Sequence, residues 1–286
     1  MRILVTGAKG MLGTDLVKRL SIKNDVKGVD VEDFDITDEA ETIRGIKKII
    51  PELVINTAAF TDVDACETER EVAFKVNRGG ARNVATGCYE VNARFIHIST
   101  DYVFNGEKKE PYKEDDEPRP INIYGQSKLE GEQEISRLQT SDSRLQTLII
   151  RTSWLFGKNG RNFVDTILRL SNEKDEIRVV DDQTGSPTYT VDLSESIERL
   201  IDSDAAGIVH CSNSGECSWY DFAKEIIRIK GIKGVNVIPI KSGELKRPAK
   251  RPSYSVLSND RYFKLTGYRM RKWEETLRDY GERVSL

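Results

Sequence analysis

The apolar residues of this 286-residue chain fall into a repeating rhythm: a short hydrophobic run, a longer stretch with helical spacing, then another run. The runs are Ile3 to Thr6, Val26 to Val29, Leu53 to Asn56, Arg94 to Ser99 and Thr147 to Arg151. Each reads as a strand and each intervening amphipathic stretch as a helix, which predicts an α/β fold, a parallel sheet wrapped by helices. The first helix is expected from Met11 to Ile22. Asp38 should cap a second that runs to about Ile50, where Pro51 stops it. A longer helix is expected from Glu71 to Tyr89.

Past Arg151 the rhythm loosens, with a Gly- and Pro-containing stretch at Gln183-Thr184-Gly185-Ser186-Pro187-Thr188 and a basic loop at 246–252. A smaller lobe is placed here. The amphipathic Val191 to Ile201 and the strand-like Gly207 to His210 are suited to return to the main sheet. The expected division is a main domain over 1–152, rejoined by about 189–212, and a lobe made from 153–188 and 213–286. No internal repeat or low-complexity tract interrupts this organisation.

The first apolar run leads directly into Gly7-Ala8-Lys9-Gly10-Met11-Leu12-Gly13, and the second ends at Asp30. Strand, glycine turn, helix start and acidic strand end follow in the order in which one dinucleotide is gripped. Gly7 suits a turn with positive φ, Gly10 lets the backbone approach a pyrophosphate, and Gly13 lets the helix pack closely on the sheet. Amides at the helix start then face the anion, and the Asp30 carboxylate can accept hydrogen bonds from an adenosine ribose. In a chain with 21 glycines the spacing alone says little. Its place between a strand-like run and an amphipathic stretch, at the N-terminus with no signal peptide before it, gives it weight. The pattern predicts NAD(P) on a Rossmann-type doubly wound sheet, with ligands bound beyond the carboxyl ends of the strands, between sheet and lobe.

Composition narrows the partners. A net charge of −3 and a pI near 5.7 give no basic excess of the kind that binds nucleic acid. Lys246-Arg247-Pro248-Ala249-Lys250-Arg251 is a local exception, readable as a solvated loop or as a contact for a ligand's phosphates. No apolar run has the length of a membrane span, so no membrane segment is expected. Cys66, Cys88, Cys211 and Cys217 form no C-x-x-C pair, and with only His97 and His210 beside them structural zinc is not expected. Free, mostly buried thiols in a reducing cytoplasm fit this usage.

The fourth run ends in His97-Ile98-Ser99-Thr100-Asp101-Tyr102-Val103-Phe104, which brings hydroxyl and carboxylate groups to the ligand edge of the sheet. Tyr124-Gly125-Gln126-Ser127-Lys128 follows, with Tyr124 and Lys128 one helical turn apart on one face. A phenol titrates near 10, and a neighbouring cation is expected to lower that value; an oxidised nicotinamide ring would push the same way. Tyr-x-x-x-Lys also occurs at Tyr220 with Lys224 and at Tyr268 with Lys272. Only Tyr124 lies between the fourth and fifth strands, so the other two read as packing or helix-surface pairs.

GAKGMLG, ISTDYVF and YGQSK together resemble the extended short-chain dehydrogenase/reductases. Within them the chain is similar to the dTDP-4-dehydrorhamnose reductase family. Supporting segments are Asn56-Thr57-Ala58-Ala59-Phe60-Thr61-Asp62-Val63-Asp64, Arg151-Thr152-Ser153-Trp154-Leu155-Phe156, Asp182 to Thr188, and Lys250-Arg251-Pro252-Ser253-Tyr254-Ser255. The likeness spans nearly the whole chain. It implies that Thr100, Tyr124 and Lys128 form a catalytic triad. It places Gly10, Met11 and Leu12 on the pyrophosphate, with Gly7 and Gly13 in the same cofactor-binding turn, Asp30 on the adenosine ribose, Asp35 and Ile36 beside the adenine, and Ala59, Phe60 and Thr61 along the nucleotide. Thr100, Asp101, Tyr124 and Trp154 would meet the sugar nucleotide, and Arg251 could pair with its diphosphate. Trp154 as a core aromatic and Asp35 as a turn residue remain alternative readings.

The activity implied is reduction of the 4-keto group of dTDP-4-dehydro-L-rhamnose by NAD(P)H. NADH is favoured, because Asp30 repels a ribose 2′-phosphate and Val31-Glu32-Asp33 bring no arginine; Lys9 is the nearby cation. The resemblance also implies a homodimer, in some members with a magnesium ion bridging the interface, and no metal ligands can be assigned in this sequence. Two other functions stay open. One is a sugar-nucleotide epimerase or dehydratase on the same scaffold, although a dehydratase carries an Asp-Glu pair after the strand-end threonine and here Asp101 precedes Tyr102. The other is a non-catalytic regulatory subunit similar to the beta subunit of methionine adenosyltransferase.

Overall fold

A computed structural model describes residues 1–141 and 145–283; positions 142–144 and 284–286 of the expected domain ranges lie outside the described residues. In chain order the elements are β1 (Arg2–Thr6), α1 (Met11–Leu20), β2 (Asp25–Val29), α2 (Glu39–Ile49), β3 (Leu53–Asn56), α3 (Val63–Thr68), α4 (Arg70–Phe74), α5 (Ala81–Val91) and β4 (Arg94–Thr100). Then come α6 (Ile123–Ser141), β5 (Thr147–Thr152), β6 (Leu155–Phe156), α7 (Phe163–Glu173), β7 (Glu176–Val180), β8 (Thr184–Gly185), β9 (Thr188–Tyr189) and α8 (Thr190–Asp202). The chain continues with β10 (Gly207–His210), β11 (Cys217–Ser218), α9 (Trp219–Ile229), β12 (Asn236–Ile240), α10 (Asp260–Thr266) and α11 (Trp273–Arg283).

Six strands form one parallel sheet in the order β10-β5-β4-β3-β1-β2. The five apolar runs supply five of these strands, and Gly207–His210 adds the sixth beside β5. Because side chains alternate across a strand, Ile3 and Val5 enter the core under α1 and α8 while Leu4 enters the core under α2 and α5. Tyr262 and Met270 also join the α1/α8 side. A third cluster, with Phe156, Ile167, Phe222, Trp273 and Tyr280, is built from α7, α9, α11 and the short strand pairs β7/β12 and β6/β9. The four cysteines are free and buried. Among the described residues no helix is long and apolar enough to cross a membrane.

Local rules fix the helix ends. Asp38 caps α2 by accepting from the Glu41 amide, and Ile50 stops the helix in a left-handed conformation just before Pro51. The helix expected over Glu71 to Tyr89 is instead α4 and α5 joined by a π-helical turn at Lys75–Gly80. Its cause is tertiary: the extra residue turns Asn77 inward, where its carboxamide holds both the N–H and the C=O of Phe60 and donates to Ser127 Oγ at 2.9 Å.

One ion pair ties the centre of the sheet to α6. Arg151, fully buried in β5, donates through Nε and NH2 to the two oxygens of Glu132 at 3.0 and 2.7 Å, and Ser99 Oγ of β4 donates to the same carboxylate. Charges removed from water this far are tolerated because each is hydrogen-bonded to the other. Glu132→Ala leaves the Arg151 guanidinium buried without its partner and should cost about 3–5 kcal/mol in urea unfolding, whereas a loss below about 1 kcal/mol would show that Arg151 finds another acceptor.

Candidate active site

The strand order reverses between β1 and β3, and a groove opens over the carboxyl ends of these strands, where ligands of such sheets bind. One end, about 380 Å³, is lined by the glycine turn, Asp30, Phe34, Asp35, Ile36 and Ala58. The other, about 400 Å³, is lined by Met11, Leu12, Thr61, Thr100, Asp101, Tyr124, Lys128, Trp154, Arg161 and Trp219. The two ends share Gly10, Thr57 and Ala59, so they meet at the start of α1.

That meeting point is built by two glycines. Gly7 has φ +68°, and a Cβ there would lie 2.6 Å from the Ala58 nitrogen. At Gly13 a Cβ would collide with the Gly7 carbonyl oxygen, so α1 can sit this close to β1 only without a side chain. Gly10 begins α1 with no side-chain cap, which leaves the first amides of the helix turned to the groove. An anion is the partner such a helix start lacks. At the outer end Asp30 is held by the Lys9 amide on Oδ2 and the Val31 amide on Oδ1, both at 2.9 Å. Lys9 itself pairs with Glu32 at 2.9 Å, and this ion pair raises the lysine above its usual range. Asp35 spends both carboxylate oxygens on Thr37, as a turn residue does, and also lines the groove with Ile36. An uncapped helix start beside a carboxylate strand end, where two such volumes join, fits a dinucleotide.

At the other end β4 runs into a single 3₁₀ turn at Asp101–Val103, capped by Thr100, whose Oγ1 accepts from the Tyr102 amide at 3.2 Å. The turn sets Thr100 and Asp101 side by side at the cleft, Thr100 Oγ1 donating to Asp101 Oδ1 at 3.0 Å. Burial pushes the Asp101 carboxyl up to about 7, against the opposing pull of hydrogen bonds from Ser255 and Thr100. Tyr124 lies in the first turn of α6, a helix start fixed by Asn122, which accepts from the Gly125 amide at 2.8 Å, and by Glu67, which accepts from the Ile123 amide at 2.9 Å. Its ring meets Tyr102 edge-on at 5.6 Å.

The spacing of Tyr124 and Lys128 leads one to expect a lowered phenol pKa, and here the structure differs. Removal from water raises the Tyr124 phenol, a hydrogen bond to Thr100 opposes the rise, and Asp101 adds to it. The reason is the direction of Lys128. Its Nζ is buried, donates to the Ile98 carbonyl at 2.6 Å and lies 3.1 Å from His97 Nε2, and burial pushes the amine down to about 8.

Two expected residues lie off the groove lining. Phe60 packs behind Tyr124 with Cys66, Ala73 and Ile123. Arg251 gives its fork to Asp64, with NH1 and NH2 each 2.7 Å from a carboxylate oxygen, and this guanidinium holds Asp64 below its usual range. The basic run is thus anchored by a protein carboxylate, and the Lys250 carbonyl accepts from Asn122 at the start of α6. Trp154 takes a left-handed backbone, φ +46°, which few non-glycine residues adopt. Its indole stacks on Trp219 at 3.5 Å and 5° to form a flat wall of the cleft. The sequence reading did not include Trp219, Arg161, Asn77 or His97 among functional residues. Only the aromatic at the capped start of α9, Ser218-Trp219, offered a local signal.

Comparison with known proteins shows the family. Residues 1–285 match the family described as the RmlD substrate binding domain. The spore coat polysaccharide biosynthesis protein SpsK of Bacillus subtilis (strain 168) is 44% identical over 98% of this chain and 96% of its own length. Among solved structures, a dTDP-4-dehydrorhamnose reductase from Clostridium acetobutylicum superposes with a TM-score of 0.94 at 44% identity, covering 100% of each chain. The dTDP-4-dehydrorhamnose reductase of Bacillus anthracis, solved in complex with NADP, gives the same TM-score of 0.94 at 42% identity over 99% of each chain. With the match running almost from end to end, the chain belongs to the RmlD substrate-binding family.

Proposed function

We propose that this protein reduces the 4-keto group of dTDP-4-dehydro-L-rhamnose to give dTDP-L-rhamnose, using a nicotinamide cofactor. The observation that carries the reading is the single groove, with an anion-seeking helix start in its middle, a carboxylate at one end and Thr100, Tyr124 and Lys128 at the other. A bound nicotinamide supplies the hydride. The side chains would do the rest: Lys128 would hold ribose hydroxyls, the Thr100 hydroxyl would turn its one proton from Asp101 to the keto oxygen, and the Tyr124 phenol would donate its proton to that oxygen as it gains charge. A raised phenol pKa suits reduction, because the group stays neutral at working pH and gives up its proton only to an alkoxide, a far stronger base. Asp101 and the Trp154–Trp219 wall position the sugar.

The proposed body over 1–152 and 189–212 carries the cofactor, and the lobe over 153–188 and 213–286 brings Trp154 and Trp219 to the sugar. The reading includes a homodimer, which rests on the family resemblance, in the cytoplasm, which rests on the four free cysteines. NADH is the proposed preferred cofactor, since Asp30 is locked at the ribose end and the charge of Lys9 is already taken by Glu32.

Three outcomes follow from this site. Tyr124→Phe should lower the rate of NADH oxidation with freshly made dTDP-4-dehydrorhamnose by about 10²–10⁴-fold while NADH binding is retained, and equal rates would sink the proton-donor role. Fluorescence titration should give a tighter Kd for NADH than for NADPH, and Asp30→Ala should narrow the gap; tighter NADPH binding by the native chain would overturn the preference. The third outcome concerns pH. Asp101 is raised in the fold above its ordinary value of 3.8, so its contribution to stability is present below about pH 4 and is lost as pH rises through about 7. Asp101→Asn should therefore lose less stability than the native chain between pH 5 and pH 8 in urea melts, and parallel losses would show that Asp101 titrates normally.

A further inference from the structure

A file of buried polar groups runs beneath the reactive end of the cleft. Thr6 Oγ1 donates to Asn56 Oδ1 at 2.7 Å, Asn56 Nδ2 meets His97 Nδ1 at 3.2 Å, and His97 Nε2 meets Lys128 Nζ at 3.1 Å. None of these four side chains is more than 2% exposed. With no water to exchange partners, each contact must pair a donor with an acceptor.

The direction of the file is fixed at its far end. The Ala58 backbone N–H, which can only donate, reaches Asn56 Oδ1 at 3.1 Å beside the Thr6 hydroxyl. The carboxamide oxygen therefore faces Ala58 and its NH₂ faces His97, so His97 Nδ1 accepts. Burial holds this imidazole neutral, well below its ordinary range, and a neutral ring carries one proton, here on Nε2. That N–H points at Lys128 Nζ. An ammonium has three donors and no acceptor, whereas the neutral amine has a lone pair for the Nε2 proton and still donates to the Ile98 carbonyl at 2.6 Å.

We propose that His97 is a positioning residue that favours the neutral amine of Lys128 over its ammonium, and that seating the nicotinamide ribose draws a proton from solvent onto the share of Lys128 that is neutral. The proton goes to the Nζ lone pair. The hydrogen bond from His97 breaks, and the new ammonium turns its donors toward the ribose hydroxyls. The inference rests on the cofactor reading above. Charged and titratable groups around Nζ leave it little other support for a positive charge. His97 faces it from β4, and the Asp101 carboxyl and Tyr124 phenol line the same cleft. Glu132, one turn further along α6, favours the ammonium but is already neutralised by Arg151 of β5. On the outer side of α6, Arg78 is engaged with Glu130 and Glu134, and from α3 the Cys66 thiol is raised by burial to about 11 and stays neutral.

Calorimetric titration of the full chain with NADH, in paired buffers of low and high ionisation enthalpy, reads the number of protons taken up on binding. With the free amine titrating near 8, uptake should be about 0.9 proton at pH 9 and below about 0.1 at pH 6.5. The Kd should weaken up to about tenfold per pH unit above 8. Lys128→Met should abolish the uptake, which assigns the proton. In His97→Gln the carboxamide oxygen can accept from an ammonium, so uptake at pH 9 should fall by at least half while NADH still binds; a merely structural role would weaken binding and leave the proton number unchanged. NADH binding at pH 9 with no proton uptake by the native chain overturns the proposal and leaves the cofactor reading intact. Absence of NADH binding at both pH values would instead overturn the cofactor reading, and this inference with it.

Discussion

The whole arrangement depends on how closely α1 approaches β1. A methyl group at position 13 would collide with the Gly7 carbonyl oxygen, and one at position 7 would meet the backbone of Ala58. Removing both lets the start of α1 drop over the edge of the sheet with its amides uncapped. Everything on that edge is then placed relative to one point: Asp30 on one side, at the end of β2, and Thr100 on the other, at the end of β4. The same contact places the meeting point of the two halves of the groove at Gly10, Thr57 and Ala59.

The reactive end imposes a second requirement, because it brings charge into the interior of the sheet. Arg151, Glu132 and Ser99 satisfy one another, and Thr6, Asn56, His97 and Lys128 form a second closed file. Both files cross from strand to helix α6, so the helix that carries Tyr124 is fixed in register as well as in depth. Buried polar groups tolerate few alternatives, since a shift of one partner leaves another without water or protein to bond.

The features legible in the sequence are those coded locally. Alternating apolar runs, the glycine turn, the Asp38 cap and the strand-end Thr100-Asp101 each declare themselves within a few residues. The π turn does not, because Asn77 is drawn inward by Phe60 and Ser127 from elsewhere in the chain. Arg251 is 187 positions from the Asp64 that takes its fork, and nothing at either end announces the other. Trp219 and Trp154 become one wall only when the segment after β5 meets the start of α9. The Tyr124–Lys128 spacing was legible and its electrostatic consequence was not, since helical geometry puts the two on one face without saying that His97 and the Ile98 carbonyl take the amine.

The central claim is that this groove passes a hydride from a nicotinamide seated at its reactive end, beside Lys128, to a keto carbon whose oxygen meets Thr100 and Tyr124. Reduction of dTDP-4-dehydrorhamnose with stereospecifically C4-deuterated NADH, with the product read by mass spectrometry and NMR, tests it most directly. The account predicts one deuterium per product molecule, at C4 of the sugar, from one face of the nicotinamide only. Label released to solvent, label from both faces, or cofactor left unoxidised would contradict it.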